Sequence, residues 1–191
     1  MKLFIRFWRA NDFPVKVIFD YFRYSSRSEK VFDFIIPAIL CSIILASLIF
    51  NNHEIKDILK GIPSINNQVL TSISILAGFN VASISVLATT NSDLMNRLAK
   101  QESQEHPGVT LFYILMSFFC AAITLQFFVI FIGIAILVYS SISNVESILE
   151  ILTPQLVWAF FYIWIYVIFV SVLVSLRNLK TLFTIIVEGK K

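Results

Sequence analysis

Charge is scarce in this chain: Asp, Glu, Lys and Arg together make up 14% of its 191 residues, whereas about a quarter of an ordinary soluble domain is charged. With 58% of the residues hydrophobic, that scarcity excludes a soluble enzyme. Cysteine is nearly absent too. Cys41 and Cys120 are the only two, and both lie inside apolar runs, where neither a disulfide framework nor a zinc site is expected. Histidine is limited to His53 and His106, which the topology below places on opposite sides of a membrane, so they cannot share a metal. No G-x-S-x-G, H-E-x-x-H, Walker A or G-x-G-x-x-G motif occurs. The sequence therefore predicts no enzyme activity, no cofactor, and no catalytic or metal site.

What is present is a set of four long apolar blocks. The first, 34–50 (FIIPAILCSIILASLIF), carries no charge and is just long enough to cross a hydrocarbon layer of roughly 30 Å as a helix. The second, 69–90, is weaker and rich in Ser and Thr. The third, 109–139, and the fourth, 156–176, are uncharged and unambiguous. Span three would be roughly 46 Å long as a helix, so it must tilt, bend near Gly133 or project outward. The expected fold is an all-α polytopic membrane protein: residues 1–33 form a basic, aromatic interfacial segment and 34–191 form a four-span domain with a helical C-terminal tail.

Lys and Arg set the direction of the spans. The N-terminal segment has seven of them, the connection after span two has Arg97 and Lys100, and the tail has Arg177, Lys180, Lys190 and Lys191. The other face has only Lys56 and Lys60. Thirteen against two places both termini in the cytoplasm by the positive-inside rule.

The N-terminal segment lacks the continuous apolar core of a signal peptide. Instead, Val15, Ile18, Phe19 and Phe22 fall on one helical face, with Lys16, Asp20 and Arg23 off it and Pro14 at the helix start. Together with Arg6, Trp8 and Arg9, residues Lys16, Phe19, Phe22 and Arg23 read as an in-plane amphipathic helix that binds anionic lipid at the membrane surface. This pattern favours a membrane surface over direct contact with nucleic acid.

Within the spans no residue is charged at depth, which argues against proton-coupled transport and voltage sensing. Asn80 and Gln126 are the strongly polar side chains there, and each could partner the other. Span two carries a stripe of small residues, Thr71, Ser74, Gly78, Ala82, Ser85 and Thr89, at helical spacing. Small faces let backbones approach closely. The stripe is therefore a packing face, either within the chain or around the axis of a homo-oligomer, with a tetramer among the assemblies it allows.

Two short amphipathic segments are expected in the outer loops. One uses Ile55, Ile58, Leu59 and Ile62, and the other uses Val145, Ile148, Leu149 and Leu152, with Glu146 and Glu150 giving the second a negative bias. They either lie on the outer leaflet and cap the bundle, or respond to something arriving from outside. In the tail, Leu179, Leu182, Phe183 and Ile186 keep helical spacing. This stripe either lies against Leu94 and Leu98 of the inner loop or, with Arg177 and Lys180, offers a docking surface to a soluble partner.

A basic aromatic N-terminus, both ends inside, a small-residue second span (ISILAGFNVASISVLATTN) and no enzyme motif together make a chain that resembles the KwaA membrane subunits of Kiwa antiphage defence systems. The resemblance covers the architecture of nearly the whole chain. It implies a multi-pass sensor or scaffold in a bacterial inner membrane, homo-oligomeric, that detects a membrane event and signals to a cytosolic nucleic-acid-binding effector. The alternative, of another class, is a small pore-forming or lysis-type protein that depolarises the membrane.

Overall fold

The structure, a computed structural model, describes residues 11–89, 93–143, 148 and 152–188, with side chains described except at 93, 94 and 185–188. Six helices account for most of them: α1 (Phe13–Tyr24), α2 (Arg27–Phe50), α3 (Ile55–Thr89), α4 (Asp93–Lys100), α5 (Leu111–Ile142) and α6 (Pro154–Glu188). Four of these, α2, α3, α5 and α6, are long and apolar enough to cross a membrane. The protein is an all-α polytopic membrane protein.

Each span is longer than its apolar block because the helix continues into polar sequence. α2 begins at Arg27, seven positions before the block, where Ser26 caps it. The Ser26 hydroxyl accepts the Glu29 N–H while the Glu29 carboxylate accepts the Ser26 N–H, a reciprocal capping box that satisfies two free donors. One turn later, at Val31–Ile35, α2 widens to a π turn. Such turns shift the helical register and recur at functional sites. Asp33 sits in this one and is completely buried.

The expected amphipathic segment at 55–62 is not a separate cap. It forms the first turns of α3, which runs unbroken through Pro63. Proline removes one backbone bond from a helix interior, but here the buried positions on both sides stay on one face, with Ile58, Asn66 and Ile73 all buried. At roughly 1.5 Å per residue, α3 and α6 are about 50 Å long and extend past the hydrocarbon layer. Span three also continues as one helix through Gly133, which marks a crossing point. A Cβ there would sit 2.7 Å from Leu70 Cδ2, and the Gly133 carbonyl accepts Asn66 Nδ2–H at 2.7 Å. Close backbone approach at a small residue, sealed by an amide, is a common way for spans to pack.

α5 is the central element and packs against α1, α3, α4 and α6, while α2 docks on α6. α1, α4 and the last turns of α6 share one end of the bundle, termed the α1 end; the end of α2, the start of α3, the end of α5 and the start of α6 lie at the far end. One apolar cluster at the α1 end joins Tyr21 and Tyr24 to Phe118, Ala121, Ala122, Val170 and Val174. A second joins Leu87 to Met95, Leu98, Leu115 and Phe119, with Leu182 of α6 packed on it. The outer surface is strongly apolar: Ile43, Ile75, Phe131, Phe160 and Ile163 are all more than half exposed. The interior, by contrast, collects Asn66, Asn80, Gln126, Ser171, Ser175 and Asn178. Apolar outside and polar inside is the arrangement that lipid as solvent selects.

Candidate functional site

The first turns of α2 and the last turns of α6 meet at the α1 end around Arg177. Its Nη1 lies 3.2 Å from Asp33 Oδ2 and 3.5 Å from Glu29 Oε2, and donates to Ser25 Oγ at 3.4 Å. The guanidinium plane is held between aromatic rings, with Cζ 4.8 Å from the Tyr21 centroid and 4.5 Å from that of Phe118. Arginine is suited to this place because its flat, weakly hydrated cation can stack and pair at once. Tyr21 closes the cluster by donating its phenol proton to Asp33 Oδ2. Burial, and then that bond to the carboxylate, push the Tyr21 phenol well above its ordinary pKa, so it remains a neutral donor.

The cluster joins four stretches of chain: α1 through Tyr21, α2 through Glu29 and Asp33, α5 through Phe118, and α6 through Arg177. Asp33 is wholly buried and the Arg177 side chain is 6% exposed. Arg177 Nε and Nη2 and Asp33 Oδ1 have no hydrogen-bond partner among the described residues. A buried charge pair whose hydrogen-bonding capacity is not fully used adds less to stability than its short distance suggests. Charges inside a membrane domain are costly and characteristically functional.

Deeper in the bundle, Asn80 Nδ2 donates to Gln126 Oε1 at 3.0 Å and to Ser175 Oγ at 2.9 Å, and Gln126 Nε2 donates to the same Ser175 Oγ at 2.6 Å. This pins α3, α5 and α6 together at one level. The expected pairing of Asn80 with Gln126 is present. Asn178 adds a bond from Nδ2 to the Phe118 carbonyl at 3.0 Å.

The expected site residues are distributed as follows. Thr71, Ser74, Gly78, Ala82, Ser85 and Thr89 are all exposed on the outside of the bundle, while α3 buries Ile73, Ala77, Asn80, Ser83 and Leu87 on its opposite side. The small stripe is thus not a packing face within the chain, and Asn80 and Ser83 belong to the interior. The hydroxyls of Thr71, Ser85 and Thr89 are turned to carbonyls of their own helix.

In α1, Val17, Tyr21 and Tyr24 face the bundle, leaving Phe19 and Phe22 outward with Lys16 and Arg23 exposed beside them. Phe22 stacks on Phe34 with centroids 5.1 Å apart. Arg6, Trp8 and Arg9 lie outside the described residues, as do Val145, Glu146, Leu149 and Glu150 of the far connection.

In the tail, Arg177 is buried and paired with Asp33 and Glu29. Leu182 turns inward onto the cluster that contains Leu98, whereas Lys180 and Phe183 are exposed. The side chain of Ile186 lies outside the described ones.

The sequence reading missed Asp33 and Arg177 as a pair because each looks like an ordinary charge flanking a span. The available signal was that both flank apolar blocks on the side where the basic residues accumulate. No family model, curated protein or solved structure matches this chain.

Proposed function

We propose that this protein is a non-enzymatic sensor or scaffold subunit of an antiphage defence complex in a bacterial inner membrane, as its resemblance to KwaA subunits implies, with both termini in the cytoplasm, as the thirteen-to-two excess of Lys and Arg on that face supports. In this reading copies associate through the small stripe of α3. The outward aromatic face of α1 rests on anionic lipid. The tail around Phe183 presents a surface to a cytosolic nucleic-acid-binding effector. The observation that carries the reading is the orientation of Thr71, Ser74, Gly78, Ala82, Ser85 and Thr89. α3 packs into the bundle through its opposite face without them, so a stripe free on the outside suits a second copy.

The Arg177 cluster suits signalling. It fastens the lipid-facing α1 to both the first and the last span, so a disturbance of α1 reaches the tail through one charged contact. Allosteric coupling of about 1–3 kcal/mol between such sites changes partner affinity several-fold or more.

The test is phage challenge of cells carrying this gene, its genomic neighbour, both or neither. Protection only with both supports the reading. Membrane depolarisation by this chain expressed alone overturns it and favours a pore. The hydroxyls on the outward stripe are the feature that a pore would use, although three of them are already turned to their own backbone.

A further inference from the structure

Beside the Arg177 cluster, the seam between α2 and α6 opens into a groove of about 500 Å³. Ser28, Glu29 and Phe32 line one wall, and Leu176, Lys180 and Thr181 line the other, with the buried Arg177 at its floor. The helices run in opposite directions, yet both walls change character at the same level. Ser28 and Lys180 lie toward the α1 end. Phe32 and Leu176, each one turn deeper, are 41% and 49% exposed on the outside of the bundle. The groove is therefore polar at its mouth and apolar below, along the same axis as a lipid molecule in the leaflet.

Its mouth favours an anion. Lys180 is exposed and forms no ion pair among the described residues. α2 begins here, so its first N–H groups and the positive end of its dipole point out at Arg27 and Ser28. The Glu29 carboxylate is already engaged by the Ser26 N–H at 2.7 Å and by Arg177. This end of the two helices carries Arg27, Lys30, Arg177 and Lys180 against Glu29 and Asp33. Arg177, at the floor of the groove, has its guanidinium turned to Asp33 and Glu29 and places a further positive group beneath the mouth.

We propose that this groove is a binding site for one phospholipid, whose phosphate sits between Lys180 and the first turn of α2 and whose acyl chain runs along Phe32 and Leu176. A membrane lipid, and not a soluble phosphate, is the occupant because the apolar half of the site opens outward, where the surface faces hydrocarbon. A lipid held there touches both spans that Arg177 joins.

Native mass spectrometry of the full chain in detergent tests the site with three probes: dioleoyl phosphatidylglycerol, dioleoylglycerol, which lacks the phosphate, and glycerol 3-phosphate, which lacks the chains. One phosphatidylglycerol per chain should be retained, and Lys180→Glu should reduce that retention about five-fold or more. Lys180→Gln should give a smaller loss in the same direction, and Lys56→Glu at the far end should give none. Equal retention of dioleoylglycerol, displacement of the lipid by glycerol 3-phosphate, or unchanged retention in folded Lys180→Glu protein would each overturn the proposal.

Discussion

Arg177, near the end of the last span, is held 3.2 Å from Asp33 at the start of the first. Both side chains are buried, and a tyrosine from the N-terminal helix closes the pair. Removing Arg177 leaves Asp33 as a buried carboxylate with no cation beside it, which typically costs about 3–5 kcal/mol, whereas removing Asp33 leaves Arg177 its pair with Glu29. Arg177→Met should therefore markedly lower the unfolding midpoint in detergent. Arg177→Lys should recover only part of it, since an ammonium cannot stack flat between the Tyr21 and Phe118 rings. The double variant Asp33→Leu with Arg177→Met should be more stable than Arg177→Met alone, because it removes the stranded carboxylate. If the double variant is less stable than both single variants, the desolvation argument fails.

Tyr21 gives the same cluster an alkaline limit. Its phenol is raised in the folded state, chiefly by burial, above the ordinary value of about 10. Below that value the phenol is neutral whether the chain is folded or unfolded, and stability does not depend on it. As pH rises past about 10, the unfolded chain loses this proton first, so stability falls. Tyr21→Phe should flatten that decline relative to the parent while lowering stability at pH 8, where the bond to Asp33 is lost. Unfolding midpoints of both proteins from pH 8 to pH 11 check it; parallel curves would remove Tyr21 from the account.

The inner amide network should be worth less than its number of bonds suggests. Hydrogen bonds between spans typically contribute about 0.6–2 kcal/mol, because the unfolded chain in a membrane also finds partners. Asn80→Ala should cost an amount in that range, whereas Ser85→Ala on the outward face should cost almost nothing. The effects of Asn80→Ala and Gln126→Ala should sum to more than the double variant costs, since both side chains donate to the same Ser175 Oγ. Strict additivity would mean that the two amides act separately.

The class of the fold could be read from hydropathy alone, because a bilayer tolerates few ways to satisfy a backbone. The ends of the helices could not. Ile55–Ile62 has the periodicity of a short surface helix, and only its continuity through Pro63 shows that it is the head of α3. Likewise the apolar stripe of α1 at Val15, Ile18, Phe19 and Phe22 is visible in sequence, but its second face, Val17, Tyr21 and Tyr24, is the one that meets the bundle. Asp33 and Arg177 were hidden for a different reason. A flanking charge and a buried charge have identical sequence, and only the π turn at Val31–Ile35 and the meeting of α2 with α6 separate them.

Two glycines with similar sequence surroundings should behave in opposite ways. Gly133 lies where α5 crosses α3, and an added Cβ would meet Leu70 Cδ2 at 2.7 Å and Asn66 Oδ1 at 3.0 Å. Gly133→Leu should therefore overpack the crossing and cost about 1–3 kcal/mol of subunit stability. At Gly78 nothing lies within 4 Å of an added Cβ. Gly78→Leu should leave the unfolding midpoint of the separated subunit unchanged, and in the oligomeric reading it should still lower the assembled mass, because a bulky side chain on the small stripe holds neighbouring copies apart. Light scattering in mild detergent, paired with thermal unfolding of each variant, distinguishes the cases. A loss of mass in Gly78→Leu with an unchanged midpoint assigns the stripe to contact between copies. An unchanged mass assigns it to lipid, and the proposed assembly through α3 is then wrong.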